Sequence, residues 1–451
     1  MSNMPTNFTR YRSTDIYIKN ESTPWKGTDG GPTAPVGSDF FFAAEVPAMA
    51  QAGNYADFSE VGSEIITSRR VLNYIEYTAY DLVFYAKPDS SANGRIPAES
   101  KLLKSFFGTE SGVGGSGAVV YSFSNAMQTH SIWALQKGTL GNHARQVYCA
   151  AGSVPTSLAI ALAKDGPVTY TMGFQAPRIY YGGTAELDAT ATNHNSGVVT
   201  ATIDAPLSYS GATVNSSNSL FPNLPVGFYN GTTGALLQDG SGAGLPVASV
   251  SDTAGTFTVT SGDITSDLAD GVLVQPFLPA MAASVPVMGD SSTAFKVLDQ
   301  TDVAFFFGGQ DEPEADLFGG SDAYKINVTA INIDMDRGIT TPALTEMSGS
   351  AFADASYVIN EMSISGSATI LCRPAELPKL EALRRNPVKS IGLRIKSSAA
   401  TIQFYAPAAH FEIPTVSESE GVCQLETSFT VVKGTNTSDA NKFKLSYKKN
   451  A

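Results

Sequence analysis

The stretch IPAESKLLKSFFG (96–108) predicts a short amphipathic helix in a chain that otherwise has the pattern of strands and turns. Pro97 suits the first helical position, and Leu102 and Phe106 form an i,i+4 pair on one apolar stripe. The stretch RPAELPKLEALRRNP (373–387) repeats the Pro-Ala-Glu start far downstream. This recurrence predicts that the chain contains one structural unit twice.

The composition indicates a β-rich protein of more than one domain. A length of 451 residues predicts two or three domains. Charged residues make up only 16% of the chain, hydrophobic residues make up 43%, and Gly, Ser, Thr and Ala are abundant. This balance favours strands and turns over helical bundles. The formal net charge of −13 argues against a basic surface that binds nucleic acid.

The cysteines and the termini predict a protein made in a reducing cytoplasm. Cys149, Cys372 and Cys423 lie in apolar strand-like runs, so we expect three buried free thiols. No C-x-x-C pair occurs, which disfavours a zinc site or a disulfide framework. The N-terminus lacks the apolar core of a signal peptide, and no run approaches about 18 apolar residues, so no membrane insertion is expected.

The order of patterns predicts four regions. Residues 1–38 are polar and predict an N-terminal arm, and residues 39–178 form a first β unit. Residues 179–321 predict a β-rich acidic insertion or decoration region, and residues 322–451 form a second unit. Each unit has a strand, a loop of about two dozen residues, a strand ending in Lys-Pro or Arg-Pro, the helix, further strands and a hairpin.

The segment 147–177 illustrates the strand pattern of the first unit. It predicts a strand, a turn and then a hairpin whose loop contains the strong turn signal KDGP. Leu158, Ile160 and Leu162 alternate with alanines, as in a strand with one packed face.

The first unit resembles the major tail tube proteins of long-tailed, siphovirus-like bacteriophages. The resemblance lies in AESKLLKSFFG, VVYSFSNAMQTHSIWALQKG and VYCAAGSVPTSLAIALAKDGPVTYTMGFQAP. The second unit is similar through GSAFADASYVINEMSISGSATIL, LEALRRNP and ATIQFYAPAAHFEIPTVSESEGVCQLETSFTVV. The fold class that this implies is mainly β: two tail-tube-type β-sandwich or barrel modules, each with one short flanking helix, plus the inserted region.

The resemblance also implies a function in the virion tail. Family tubes are stacked hexameric rings around a DNA channel, so a chain with two modules would build each ring from three copies. The partners would be further copies of the chain, the tape measure protein, the tail terminator and the tail-tip proteins. Double-stranded DNA would pass through the lumen non-specifically, and assembly would occur in the bacterial cytoplasm.

Two long loops, 47–70 and 337–357, would reach neighbouring subunits or the next ring. The residues expected at these subunit or ring-to-ring interfaces are Asn54, Tyr55, Phe58, Arg69, Arg70, Arg337, Thr340, Phe352 and Tyr357.

No pattern predicts catalysis, a metal or a cofactor. The four histidines, His130, His143, His194 and His410, are not near a cysteine and have no paired metal spacing. Three alternatives stay open: a surface adhesin or pilus-like β-sandwich protein, a phage baseplate or decoration protein, and a β-rich glycan hydrolase. An export signal would favour the first, ring-only assembly the second, and activity that depends on a carboxylate pair the third.

Overall fold

The fold is given by a computed structural model of the 451-residue chain. The structure describes residues 9–22, 31–59, 68–86, 99–112, 118–138, 145–163, 167–187, 197–202, 208–209, 212–213, 220–237, 244–251, 256–261, 271–282, 302–319, 325–340, 357–374, 377–396, 400–419, 421–434 and 443–449.

The described residues of the first part of the chain form eleven strands and one α-helix. They are β1 (Thr9–Asn20), β2 (Phe40–Phe41), β3 (Gly53–Ser59), β4 (Ser68–Ile75), β5 (Thr78–Tyr85), α1 (Ser100–Phe107), β6 (Gly108–Ser111), β7 (Val119–Phe123), β8 (His130–Gly138), β9 (Gln146–Ala163), β10 (Thr169–Ala176) and β11 (Arg178–Gly182).

The middle part contributes eight strands, six of which form a separate sheet. They are β12 (Ala185–Glu186), β13 (Gly197–Thr202), β14 (Ser208–Tyr209), β15 (Ala212–Thr213), β16 (Pro225–Asn230), β17 (Leu245–Ser251), β18 (Thr256–Ser261) and β19 (Val272–Pro276). The order in the six-stranded sheet is β12-β19-β16-β17-β18-β13.

The last part contains eleven strands and two helices. They are β20 (Asp302–Phe307), α2 (Glu314–Phe318), β21 (Lys325–Ile326), β22 (Val328–Asp336), β23 (Ile339–Thr340), β24 (Val358–Ile359), β25 (Ser363–Leu371), α3 (Leu377–Arg385), β26 (Val388–Lys396), β27 (Ala400–Phe411), β28 (Thr415–Ser419), β29 (Val422–Val431) and β30 (Lys444–Lys449). The prediction of a mainly β protein is therefore confirmed.

The same set of strand pairings occurs in the first and last parts of the chain. In the first part, β1 pairs with β2 and β8, β8 pairs with β9, β9 pairs with β10 and β11, and β5 pairs with β10. In the last part, β20 pairs with β21 and β26, β26 with β27, β28 with β29, β27 with β30, and β25 with β29. The short hairpins β3–β4 and β23–β24 also correspond. We call these two sets the first half and the second half.

Two ladders join the halves. Strand β9 pairs antiparallel with β22, and β7 pairs antiparallel with β30. The first ladder makes one continuous sheet with the order β5-β10-β9-β22-β25-β29-β28. We call the β9–β22 ladder the internal seam. The chain elements that meet there are about 170 residues apart in sequence, so the seam is a tertiary and not a local feature.

Strand β9 corrects the prediction of a turn inside 147–177, because it runs without a reversal from Gln146 to Ala163. Gly152 has a φ of 68° and lies where the β8–β9 register shifts. A glycine at positive φ accommodates a bulge, which bends a strand instead of reversing it. The bend lets the start of β9 pair with β8 and β11 while its end pairs with β10 and β22.

The largest hydrophobic cluster extends through both halves. It includes Leu102 and Phe106 from α1, Ile160 from β9, Ile333 from β22 and Leu383 from α3. A second cluster joins the six-stranded sheet to the other side of β8 and β9 through Trp133, Cys149, Phe221 and Phe228, among others. The six-stranded sheet is therefore packed onto the first half.

The prediction of three buried thiols is wrong for two of the cysteines. All three are free, but only Cys149 is buried, Cys372 is half-buried and Cys423 is exposed. Cys423 lies near the start of β29, at the end of the sheet. Few neighbouring residues cover its side chain there.

Candidate functional surface: the internal seam and the polar face of the shared sheet

The internal seam is a regular antiparallel ladder. Residues 157–163 of β9 face residues 330–336 of β22, with Ala159 opposite Asp334 and Ile160 opposite Ile333. Ile160 and Ile333 are both buried. Since side chains directly opposite each other lie on the same face of a sheet, both belong to its core-facing side. The seam therefore has an apolar side that belongs to the core and a polar side that faces away from it.

The polar side extends across the whole continuous sheet, and we call it the polar face. Its described side chains are Ala79, Asp81, Val83, Tyr85, Ser157, Ala159, Ala161, Thr169, Thr171, Gln175, Ala330, Asn332, Asp334, Asp336, Ser363, Ser365, Ser367, Thr369, Leu371, Thr415, Ser417, Gln424, Glu426, Ser428 and Thr430. Among these described side chains there is no Lys or Arg.

The chemistry of the polar face follows from the strand period of two. In β25 (SISGSATIL) the serines point outward while Ile364, Ala368 and Ile370 are buried. The only charged side chains of the face as defined are carboxylates, at Asp81, Asp334, Asp336 and Glu426, and all four are exposed. Such a face repels a polyanion and offers its phosphates no cation to bind.

An open hollow lies on the polar face at the internal seam. Its volume is about 330 Å³, and it is lined by Ala161, Leu162, Pro167, Thr169, Ala330, Ile331, Asn332, Ser367 and Thr369. Asn332 Nδ2 donates a hydrogen bond of 2.7 Å to Asp334 Oδ2 beside it. The lining consists of apolar side chains and uncharged hydroxyl and amide groups.

Arg337, a predicted interface residue, fastens the second half to helix α1. Its side chain is only 2% exposed. Nη1 donates to Ser105 O at 2.6 Å and to Phe106 O, and Nη2 donates to Ser124 O at 2.8 Å and Ala126 O at 2.9 Å. Burial lowers the pKa of the guanidinium to about 10, so it stays charged at neutral pH. The side chain is engaged within the chain.

Helix α1 packs against β6, β7 and β9. Leu102, Leu103, Phe106 and Phe107 are all buried, as the apolar stripe predicted. Gly108 ends the helix with a φ of 90°, which favours glycine. The predicted placement of the helix against its own β unit was incomplete, because α1 also contacts the second half through Arg337.

The buried carboxylate of Glu99 forms a second link between the halves. Its Oε1 accepts a hydrogen bond of 2.9 Å from Tyr447 Oη on β30. Burial and the nearby Glu99 raise the pKa of Tyr447 well above its ordinary value, so the phenol remains a donor.

The remaining predicted interface residues lie in the two short hairpins. Asn54, Tyr55 and Phe58 are on β3, and Arg69 and Arg70 are on β4; the structure describes their backbone. Thr340 is exposed on β23, and Tyr357 is half-buried just before β24. Phe352 lies outside the described residues. The structure therefore brings these residues onto corresponding hairpins of the two halves, and their role in an interface stays a prediction.

Sequence reasoning missed the free edge at β28. In the first half, Ile160 lies opposite Tyr170 of β10, which lies opposite Phe84 of β5. The corresponding row of the second half ends at Val416 on β28. Ile160 is 2% exposed, whereas Val416 is 74% exposed. In the described part of the chain, β28 has a ladder only with β29, so the position that β22 occupies beside β9 is vacant beside β28.

Two further exposed apolar side chains lie close in sequence to β28. Ile413 is 75% exposed just before β28, and Val422 is 48% exposed on β29 opposite Ser419. The signal in the sequence was the break FEIPTV, because Pro414 ends one strand and leaves the next one short. That pattern predicts a strand at the edge of a sheet, but it does not predict which side of the strand is left unpaired.

Glu21 forms a buried hydrogen-bond network between β1 and β8, and His130 is buried on β8 with both ring nitrogens outside that network. Glu21 accepts hydrogen bonds from Thr129 Oγ1 at 2.6 Å, Ser131 Oγ at 2.7 Å and Gly152 N at 2.9 Å. Burial, and then the charge of Lys101, lower the pKa of His130 to about 3, so the imidazole is neutral at neutral pH. These contacts orient β1 against β8 and β9 and have the geometry of a structural network.

No group of three His, Cys, Asp or Glu side chains in the described residues is arranged to hold a metal ion. Within those same ranges, none of the helices has both the length and the apolar character needed to span a bilayer. No protein-family model matches the sequence, and no curated protein matches it significantly.

Proposed function

We propose that this protein is a structural virion protein whose copies join edge to edge into closed rings, and that the rings stack into the tail tube of a long-tailed bacteriophage. The observation that carries the proposal is the contrast between the filled internal seam at β9 and the vacant corresponding edge at β28. A chain that already makes this contact once, and leaves its counterpart open, is suited to make it again with a second copy.

The segment that would fill the vacant edge is the first-half counterpart of β22. Ala44 N donates to Val83 O of β5 at 2.7 Å, in the position where Ala330 of β22 pairs with Thr369 of β25. The counterpart of β22 is therefore the segment 42–50. In the described chain this segment belongs to no β-ladder, so it can join one between chains.

The internal seam also predicts the register of the contact between chains. Ala159 lies opposite Asp334 in the seam. Thr415 corresponds to Ala159, and Ala48 corresponds to Asp334, so Ala48 of one chain would lie opposite Thr415 of the next. Both side chains are exposed in the single chain.

Closure at three chains follows from two units in each chain and the six-unit rings of the tail tube family. A heterologous contact closes into a ring only if its rotation divides a full turn; otherwise it grows as an open filament. In this proposal the family resemblance supplies the number six, and the seam supplies the contact.

The polar face supports the conduit part of the proposal. If the continuous sheets of three chains join, their polar faces form one surface of small hydroxyls, amides and carboxylates. Because DNA carries about one negative charge per 1.7 Å, a lumen without Lys or Arg would let it pass without phosphate contacts. The six-stranded sheet, which packs on the other side of β8 and β9, would then decorate the outside of the tube.

The proposed contact is tested by cysteine cross-linking. In a chain carrying Cys372→Ser and Cys423→Ser, Thr415→Cys and Ala48→Cys should form a disulfide between chains, because directly opposed strand positions have suitable Cα separations. Non-reducing gels should then show covalent dimers and trimers and no larger species, and electron microscopy should show rings or tubes with threefold symmetry.

The matched control moves one cysteine by one residue, to Val416→Cys with Ala48→Cys, which turns the side chain to the other face. Equal cross-linking of both pairs would contradict the register. A ladder of ever longer covalent products would contradict ring closure. A protein that stays monomeric at high concentration and with a purified tail-tip complex would contradict the function itself.

A further inference from the structure

The position of two cysteines at the base of the β28–β29 hairpin leads to an inference that is independent of ring assembly. Leu371 lies opposite Gln424 in the β25–β29 ladder, so Cys372 lies opposite Cys423. Cys372 N donates to Cys423 O at 3.1 Å, which confirms that the two residues face each other.

The geometry of such a pair allows a disulfide. Directly opposed residues of an antiparallel pair have Cα atoms about 4.5–5.5 Å apart. Disulfides form across Cα separations of about 4.4–6.8 Å. The side chains of opposed residues point to the same side of the sheet, and the two thiols are within hydrogen-bond reach of each other.

The surroundings let an oxidant reach the pair. Cys423 is exposed and Cys372 is half-buried, whereas Cys149 is fully buried. The pKa of the Cys423 thiol lies above its ordinary value, mainly because it hydrogen-bonds with Cys372, with burial and the Cys372 and Glu418 charges acting in the same direction. Since the thiolate is the nucleophile, the pair reacts slowly at neutral pH and faster in alkali.

We propose that Cys372 and Cys423 are a redox-responsive pair that stays dithiol in a reducing cytoplasm and closes to a disulfide when it meets an oxidised low-molecular-weight disulfide such as glutathione disulfide. The Cys423 thiolate attacks one sulfur of glutathione disulfide, forming a mixed disulfide and releasing one glutathione thiolate. The Cys372 thiolate then attacks the Cys423 sulfur and releases the second glutathione. Two protein thiols are oxidised, one glutathione disulfide is reduced, and the two thiol protons end on the two released glutathiones.

The consequence is a covalent cross-link beside the free edge at β28. The disulfide closes a loop that contains α3, β26, β27 and β28, which restricts the unfolded chain and raises stability. If the proposed rings exist, the cross-link would form after release from the host, when the protein leaves a reducing compartment.

The test uses the purified full-length chain. After incubation with glutathione disulfide at pH 8.5, the protein is denatured in iodoacetamide and its mass and proteolytic peptides are measured. We expect one alkylated cysteine, Cys149, a crosslinked peptide pair containing Cys372 and Cys423, and a melting temperature raised by at least about 2 °C. Dithiothreitol should reverse both changes.

Cys423→Ser is the matched control, since it removes the accessible partner and should abolish the crosslink and the shift in melting temperature. Three results would overturn the proposal: alkylation of all three cysteines after oxidation, a stable glutathione adduct on Cys423, or a Cys423–Cys423 link between chains. None of these readouts depends on ring formation. The redox proposal can therefore fail while the proposed function stands, and the proposed function can fail while the redox proposal stands.

Discussion

The two halves of this protein have corresponding strand pairings, but one half has its edge covered and the other does not. In the first half, Ile160 is 2% exposed beside the β22 ladder, and Leu102 of α1 is 1% exposed in the same hydrophobic cluster. In the second half, Val416 is 74% exposed, and α3 buries little beyond Leu380 and Leu383. The difference teaches that Val416 occupies a position that is interior where a neighbouring strand is present, as it is at Ile160.

The chain itself explains why the two helices differ. Between α1 and β8, the first half has the β6–β7 hairpin, and β7 pairs with β30 of the second half. Helix α3 is followed almost directly by β26, so no such hairpin covers it. The first helix is therefore enclosed by both halves, and the second lies at the end of the sheet.

The largest expected effect is the difference in unfolding free energy between lysine substitutions at Ile160 and at Val416. Ile160→Lys buries an unpaired ammonium at a 2% exposed position, and we expect it to lower the free energy of unfolding by more than about 4 kcal/mol or to prevent folding. Val416→Lys should change the stability of the single chain by less than about 0.5 kcal/mol. Urea denaturation at low protein concentration measures both. Similar losses in the two variants would contradict the correspondence of these positions.

The same comparison applies to the helices. Leu102→Ala should cost about 2–5 kcal/mol of unfolding free energy, because it leaves a cavity at a side chain that is only 1% exposed. Leu380→Ala, in a helix with a largely exposed surface, should cost less, since the site can relax and Leu380 is already 7% exposed. Chemical denaturation of the two variants provides the measurement, and a larger loss for Leu380→Ala would reverse the conclusion.

Arg337 provides the next smaller contrast. Its first-half counterpart is Gln51, which donates to Glu76 O and Pro177 O and accepts from Ile179 N, all within the first half. Arg337→Ala should cost about 2–3 kcal/mol, because the Ser105 and Phe106 carbonyls each lose a buried donor, at the lower end of the ~1–3 kcal/mol range for each. Water can replace the guanidinium as the hydrogen-bond donor to Ala126 O, because Ala126 is exposed.

Arg337→Lys serves as the control for charge, since it keeps the cation but cannot reach several carbonyls as a planar fork. We expect it to recover only part of the loss. Gln51→Ala should lower stability without loosening α1, which hydrogen exchange of the α1 amides would show. Full recovery by lysine would indicate that charge, and not the fork geometry, holds α1.

The smallest expected effect is the pH dependence of stability that His130 of the first half causes. Because the pKa of His130 is lowered to about 3 in the folded protein, the unfolded chain binds a proton below about pH 6.5 that the folded chain does not. Stability should therefore fall as pH falls, by about 1.4 kcal/mol per pH unit between pH 6.5 and 5, and be flat above that window. His130→Phe should remove this slope in a series of denaturation curves. An unchanged slope would assign the pH dependence to other groups.

The strand patterns predicted much of the local structure. The alternation in SLAIALA predicted one packed face, and the apolar stripe of SKLLKSFF predicted the buried side of α1. The turn predicted near Gly152 was wrong, because a bulge at positive φ continues a strand that a Gly-Ser-Val-Pro pattern would end. Arg337 was predicted to reach a neighbour, and its contact with α1, 232 residues away from Ser105, has no signature in the local sequence.

What the sequence by itself determined is local: the β class, the two short helices and the packed face of strands with clear alternation. These features depend on periods of two and 3.6 residues, which any short window displays. The tertiary structure alone decided which strands are neighbours, that β9 receives β22 while β28 receives no described strand, and that Cys372 faces Cys423. Such pairings are set by the closure of long loops and by the fit of whole faces, so no short window of sequence specifies them.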